Sequence, residues 1–128
     1  MRLLIALMLL GCASAPAKKK PPQDMTYKEA IRRAVAITAA QSQMVVRYNP
    51  VRCSCPPFEV QVGSRWVRLA LDDVEVAEST AAQLNTRARG DADAKAVNHY
   101  RVTGDLDTSL SRCAQGTLYL TLSVDSVD

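Results

Sequence analysis

Aromatic residues are scarce in this chain of 128, which has one Phe, one Trp and four Tyr. So few rings give successive bases little to stack on, and this argues against single-stranded nucleic-acid binding. Histidine occurs once, at His99, and there is no Gly-x-Ser-x-Gly, His-Glu-x-x-His or phosphate-cradling glycine-rich loop. Catalysis would have to assemble His99 with Asp105, Asp107 or Ser111, so the expectation is a non-enzymatic protein without a cofactor. The Asp91 and Asp93 pair lacks the following Gly and Glu of a calcium loop. No apolar run approaches the roughly 20 residues that span a bilayer. Charge of one sign is lacking too. The net charge is +3, but Arg2, Lys18, Lys19 and Lys20 all precede the body, leaving twelve basic against thirteen acidic residues. A near-neutral domain carries no electrostatic footprint for nucleic acid.

What is present begins with the leader. Met1-Arg2 gives a positive start, Leu3 to Leu10 an unbroken apolar stretch, and small residues follow, the layout of a secretory signal. Leu9-Leu10-Gly11-Cys12 resembles the lipobox of bacterial lipoproteins, with Leu three residues before the Cys and a small residue just before it. The resemblance covers about the first twelve residues, and Leu10 is bulkier than the small residue common at its position. It implies a diacylglycerol on the Cys12 thiol, cleavage of residues 1–11, and acylation of the new amino terminus. Several acyl chains, each CH₂ contributing about 0.8 kcal/mol, would anchor the protein stably. Ala13 in place of Asp implies, in the same family, transfer to the outer membrane. Residues 12–25 then read as a lipidated Cys and a flexible tether, rich in Ala, Lys and Pro, and residues 26–128 as a single small domain.

Within the domain, Thr26-Tyr27-Lys28-Glu29 has the form of a capping box. It predicts a helix to about Gln43 that lays Tyr27, Ile31, Ala34, Val35 and Thr38 on one side. Gly63-Ser64 separates two alternating runs, Phe58 to Val62 and Arg65 to Leu69, and predicts a hairpin with a type II′ turn. The implied register pairs Val60 with Val67 and Phe58 with Leu69 on one face, and Gln61 with Trp66 and Glu59 with Arg68 on the other. Trp66 therefore sits on the more polar face, as a candidate interaction residue or one covered by a helix. Further strands are expected at Met44 to Tyr48, His99 to Leu106 and Thr117 to Asp125, with a short helix and a loose loop broken at Gly90 between Ser79 and Ala96. The fold class is α+β. It is a small, mostly antiparallel sheet or an OB-like five-stranded barrel with an N-terminal helix and one inserted helix.

Export places Cys53, Cys55 and Cys113 in an oxidising compartment. Cys53 and Cys55 are too close to bridge each other readily, so the expected disulfide joins Cys113 to one of them. It closes a loop of about sixty residues worth about 4 kcal/mol in the chain-entropy model. One thiol would remain, either inert, paired with a second protein, or available for exchange. The same cysteines with His99 could be imagined as a thiolate-rich metal site, but Pro56-Pro57 and the oxidising compartment oppose it, and no metal is expected. The functional expectation is an envelope protein anchored to the membrane by its lipid. It would contact an envelope protein partner through a sheet edge or the Trp66 face and bind no nucleic acid. A module for a small ligand or envelope polymer, needing a pocket beside Trp66, is the alternative, with thiol exchange a third.

Overall fold

Alternation of apolar and polar side chains decides this fold, because each strand must turn its apolar side to a common interior. The computed structural model describes residues 21–96 and 99–128, without the side chains of 21–27 and 115. The signal segment, Cys12 and the tether up to residue 20 lie outside the described residues. Helix α1 (Pro21–Ala39) is followed by β1 (Met44–Tyr48), β2 (Phe58–Val62), β3 (Arg65–Leu71), α2 (Thr80–Asp93), β4 (His99–Arg112) and β5 (Leu118–Val127). A 3-10 turn, Ala114–Gly116, joins the last two strands.

The hairpin adopts the register read from the sequence, with Val60 opposite Val67, Phe58 opposite Leu69, Gln61 opposite Trp66 and Glu59 opposite Arg68. Gly63 has φ 62°, the left-handed backbone that the first central position of a type II′ turn requires. The strands close into a barrel in the order β1-β2-β3-β5-β4, and β4 returns to pair with β1. All ladders are antiparallel except β3 with β5, which runs parallel with Leu69 opposite Leu120 and Leu71 opposite Leu122. This strand order, with α2 inserted between β3 and β4, is that of an OB-type barrel. The interior is filled by Val46, Phe58, Val60, Val62, Leu69, Val102, Leu120 and Leu122, all buried. Each buried Val, Leu or Phe contributes on the order of 1.5–3 kcal/mol.

Both helices cover the barrel with small apolar faces. On α1, Ile31, Val35 and Thr38 are buried, spaced as one helical face requires. Thr38 returns its hydroxyl to the Ala34 carbonyl at 2.9 Å, so the one polar group on that face has a partner. On α2, Ala81, Leu84 and Ala88 are buried. Ser79 caps that helix by accepting the Ala82 N–H at 3.0 Å. The Tyr100 hydroxyl donates to Asp91 Oδ2 at 2.6 Å, and Arg87 lies 5.0 Å from the Tyr100 ring centroid. Burial, reinforced by the hydrogen bond to Asp91 and its negative charge, pushes the Tyr100 phenol up to about 12.

The structure corrects three local expectations. Helix α1 starts at Pro21, five residues ahead of the Thr26 capping box. Proline in a first turn forfeits only an N–H that has no intrahelical acceptor, so Pro21 and Pro22 begin a helix they could not continue. Gly90 does not break α2, which runs on to Asp93. Strand β4 continues to Arg112, beyond the expected end at Leu106, with ladder shifts between Thr103 and Gly104 and between Asp107 and Ser111. Such bulges disturb the period-two pattern that would have revealed the extension.

The two glycines in these elements differ in kind. A Cβ on Gly90 would meet nothing within 4 Å, whereas one on Gly104 would collide with the Ser123 carbonyl oxygen. Gly90→Ala is therefore expected to stabilise the fold by about 0.5–1 kcal/mol, the helical advantage of Ala over Gly. Gly104→Ala is expected to destabilise it by about 1–3 kcal/mol. Chemical denaturation of the two variants checks both signs, and a stable Gly104→Ala protein would show that β4 and β5 do not approach as described.

Candidate functional site

The same parity that sends Val46, Val60 and Val67 inward sends their neighbours out. Cross-strand registers align His99 with Arg47, Arg47 with Glu59, Glu59 with Arg68, and Arg68 with Tyr119. This makes one transverse row around the barrel's outer surface. Trp66 stands two residues from Arg68 on the same face of β3.

Glu59 is the centre of that row. Although charged, it is only 8% exposed, so its carboxylate must be paired to be tolerated. Arg47 Nε lies 2.6 Å from Glu59 Oε1, Arg68 Nη2 lies 3.5 Å from Oε2, and Asn49 Nδ2 donates to Oε1 at 3.0 Å. Two guanidinium groups thus share one carboxylate. Burial lowers the Arg68 pKa, the Glu59 charge opposes that shift, and the nearby Arg47 charge adds to it. The Arg47 guanidinium carbon is 4.1 Å from the Trp66 ring centroid, within cation–π range. His99 packs on the same indole at 5.3 Å with its ring tilted by 42°. Trp66 is half-buried, with Arg47 and His99 against its ring.

The β1–β2 loop, residues 49–57, is secured to this face. Arg68 Nη1 donates to the carbonyls of Asn49 and, at 3.2 Å, of Pro56. Cys55 is bonded to Cys113 across 58 residues of chain, with 5.2 Å between their Cα atoms. The bridge ties the β1–β2 loop to the β4–β5 connection, and of the two partners open to Cys113 it selects Cys55. Cys53 offers its carbonyl to the Cys55 N–H at 2.8 Å. Its sulfur is also engaged, and none of the described cysteines is free. The spare thiol expected from the sequence is therefore not seen among the described cysteines.

Other sequence candidates are separated by the fold. His99 stacks on Trp66 at the start of β4, while Asp105, Asp107 and Ser111 pair with Ser123, Thr121 and Tyr119 farther along that strand. Six residues of strand place Asp105 about 20 Å away, so these groups do not converge on His99. The imagined thiolate site is likewise not assembled, since Cys55 and Cys113 are consumed by their bridge. Among the described residues, no three His, Cys, Asp or Glu side chains come together as a metal site. Closure gives every strand a neighbour on both sides, although β1 pairs only with His99 to Val102 of β4, and β3 only with Tyr119 to Leu122 of β5. One groove of about 350 Å³ lies between α2 and the end of β5, among Gln83, Arg87, Asp125 and Ser126. It is not beside Trp66. Among the described residues, no helix is long and apolar enough to cross a membrane.

Sequence reasoning placed Trp66, Glu59 and Arg68 on one face but missed Arg47, Asn49 and His99 as their neighbours. The alternation of Met44 and Val46 with Arg47 carried part of that signal. Which strands lie beside β1 is set by closure and is not written in local pattern.

Compared with models of protein families, with curated proteins and with solved structures, the chain matches none.

The arginines flanking Glu59 differ in exposure. The Arg47 side chain is 30% exposed and that of Arg68 10%. Glu59→Ala leaves Arg68 in a largely buried position without a counter-charge and is expected to destabilise the fold by about 3 kcal/mol. Arg47→Ala removes the more exposed partner and should cost about 1 kcal/mol or less. Urea denaturation of the two variants makes the comparison. Equal losses would mean that Glu59 does not mediate between a buried and an exposed cation.

Proposed function

We propose that this chain is the precursor of an envelope lipoprotein, lipidated at Cys12 and held at the outer membrane. Its barrel would be a non-enzymatic module contacting another envelope protein through the Trp66 face. The anchor rests on Leu9-Leu10-Gly11-Cys12 and the leader before it. The contact rests on one observation above the others, that a half-buried Trp66 is held on the outer barrel surface by Arg47 at 4.1 Å and His99 at 5.3 Å. Trp and Arg are among the residue types most enriched at the energetic centres of protein interfaces. Rigid placement reduces the ordering cost that association would otherwise incur.

The α2–β5 groove favours a second reading, a small-ligand site remote from Trp66. Its mixed lining, with Arg87 facing Asp125 and Ser126, would suit a polar ligand.

The test uses protein from the membrane fraction with p-benzoylphenylalanine in place of Gln61, whose cross-strand neighbour is Trp66. Intact mass before irradiation is expected to equal residues 12–128 plus acyl chains, with the lipid surviving reduction because a thioether is not a disulfide. Irradiation is expected to give one discrete protein adduct that Trp66→Ala abolishes and that the same probe at Gln83 on α2 does not give. A Cys12 sulfur used in a disulfide is unavailable to lipid, so an unacylated chain whose Cys12 thiol can be alkylated only after reduction would overturn the anchor. Adducts from position 83 alone would overturn the contact face.

A further inference from the structure

Charge is divided unevenly along the chain. Residues 44–71 contain four arginines and a single acid, Glu59, whereas residues 72–128 contain five basic and ten acidic side chains. The first segment forms β1, β2 and β3, which are consecutive around the barrel. Folding therefore gathers Arg47 and Arg68 on the Trp66 face, with Arg52 on the β1–β2 loop that Arg68 secures to it, in a domain that is near neutral overall. The acid of these three strands is the buried Glu59, already shared between Arg47 and Arg68. One carboxylate against two guanidinium groups leaves a surplus positive charge next to Trp66, and Arg52 adds to it from an exposed position on the β1–β2 loop. On the β4 flank, Asp128 presents a carboxylate near Arg101, and that carboxylate accepts from Gln43 Nε2 at 3.1 Å.

Arg47 is also constrained. It is tied to Glu59 through Nε at 2.6 Å and lies over the Trp66 ring. A guanidinium held against an aromatic face keeps the donors along its edge in a fixed plane, which suits a carboxylate. We infer that the Trp66 face takes an acidic polypeptide segment, whose Asp or Glu side chains meet Arg47 and its neighbouring arginines while an adjoining side chain rests against Trp66. This inference rests on the reading of that face as a contact surface and specifies the partner's chemistry.

Other polyanions fit less well. One Trp provides no run of stacking platforms for nucleic acid. The large exposed apolar residues Ile37, Val51 and Val76 lie on α1, the β1–β2 loop and the loop before α2. On three separate elements, these side chains form no single apolar patch among the described residues.

Poly-L-glutamate is the probe, titrated by calorimetry into the full-length processed protein at low salt. Phosphatidylglycerol vesicles serve as the lipid arm, compared by co-sedimentation of the protein lacking its acyl chains. Saturable binding of polyglutamate is expected, weakened about tenfold by Arg47→Gln and strongly by raised salt, and unaffected by Arg87→Gln on α2. An unchanged thermal midpoint for Arg47→Gln, to within a few degrees, separates lost binding from lost folding. Absence of binding, equal binding by Arg47→Gln, or a preference for the vesicles would overturn the inference. If polyglutamate fails while the Trp66-dependent adduct from position 61 persists, the acidic chemistry is wrong and the contact face stands. If both fail, the contact face falls with it.

Discussion

The parallel ladder between β3 and β5 is the constraint on which the rest of this structure depends. It joins the β1-β2-β3 meander to the β4–β5 pair, and with β4 against β1 it turns an open sheet into a barrel. Leu69 and Leu71 on one strand, and Leu120 and Leu122 on the other, are buried through that closure. Without it, β3 and β5 would be sheet edges, each presenting a row of unpaired backbone groups and a half-covered apolar face. Parallel pairing between strands so far apart in sequence has a loop-closure cost, offset by the interior that all five strands then share.

Closure also determines what the outside is. Once every alternate residue is committed to the interior, Arg47, Glu59, Trp66 and Arg68 have only the outer surface to occupy. Glu59 is then half an anomaly, an acid nearly as buried as the core, made tolerable by two arginines and Asn49. Arg68 extends this network to the β1–β2 loop through the Asn49 and Pro56 carbonyls, and the Cys55–Cys113 bridge fixes the same loop to the β4–β5 connection. In the chain-entropy picture a bridge of this span is worth about 4 kcal/mol, a large share of the stability of a domain this small. The face around Trp66 is thus a rigid one.

Elements whose evidence is local were readable in the sequence. The β2–β3 hairpin was, because Gly63 and the acid-to-base, apolar-to-apolar pairing agree on one register. The run ending at Val127 was visible through its alternating Leu residues. Helix α1 was found but started too late, because Pro21 and Pro22 read as breakers until their place in the first turn is known. Gly90 misled similarly, since a glycine inside a helix weakens it without ending it. The candidate site was half legible. Hairpin register gives Trp66 with Gln61, and Glu59 with Arg68, but Arg47 and His99 arrive from strands whose neighbours only closure determines. The choice of Cys55 over Cys53 was beyond local pattern, since two cysteines one residue apart differ only in how the loop is turned.

If β3–β5 closure organises the molecule, its backbone amides should be the last to open. Hydrogen exchange followed residue by residue measures this directly. The account predicts that the amides of residues 69–71 and 120–122 exchange as slowly as those of the β2–β3 hairpin, at the rate set by global unfolding. Fast exchange along β3 and β5 on their shared side, with the hairpin still protected, would mean an open sheet and would contradict the closed barrel on which the Trp66 face depends.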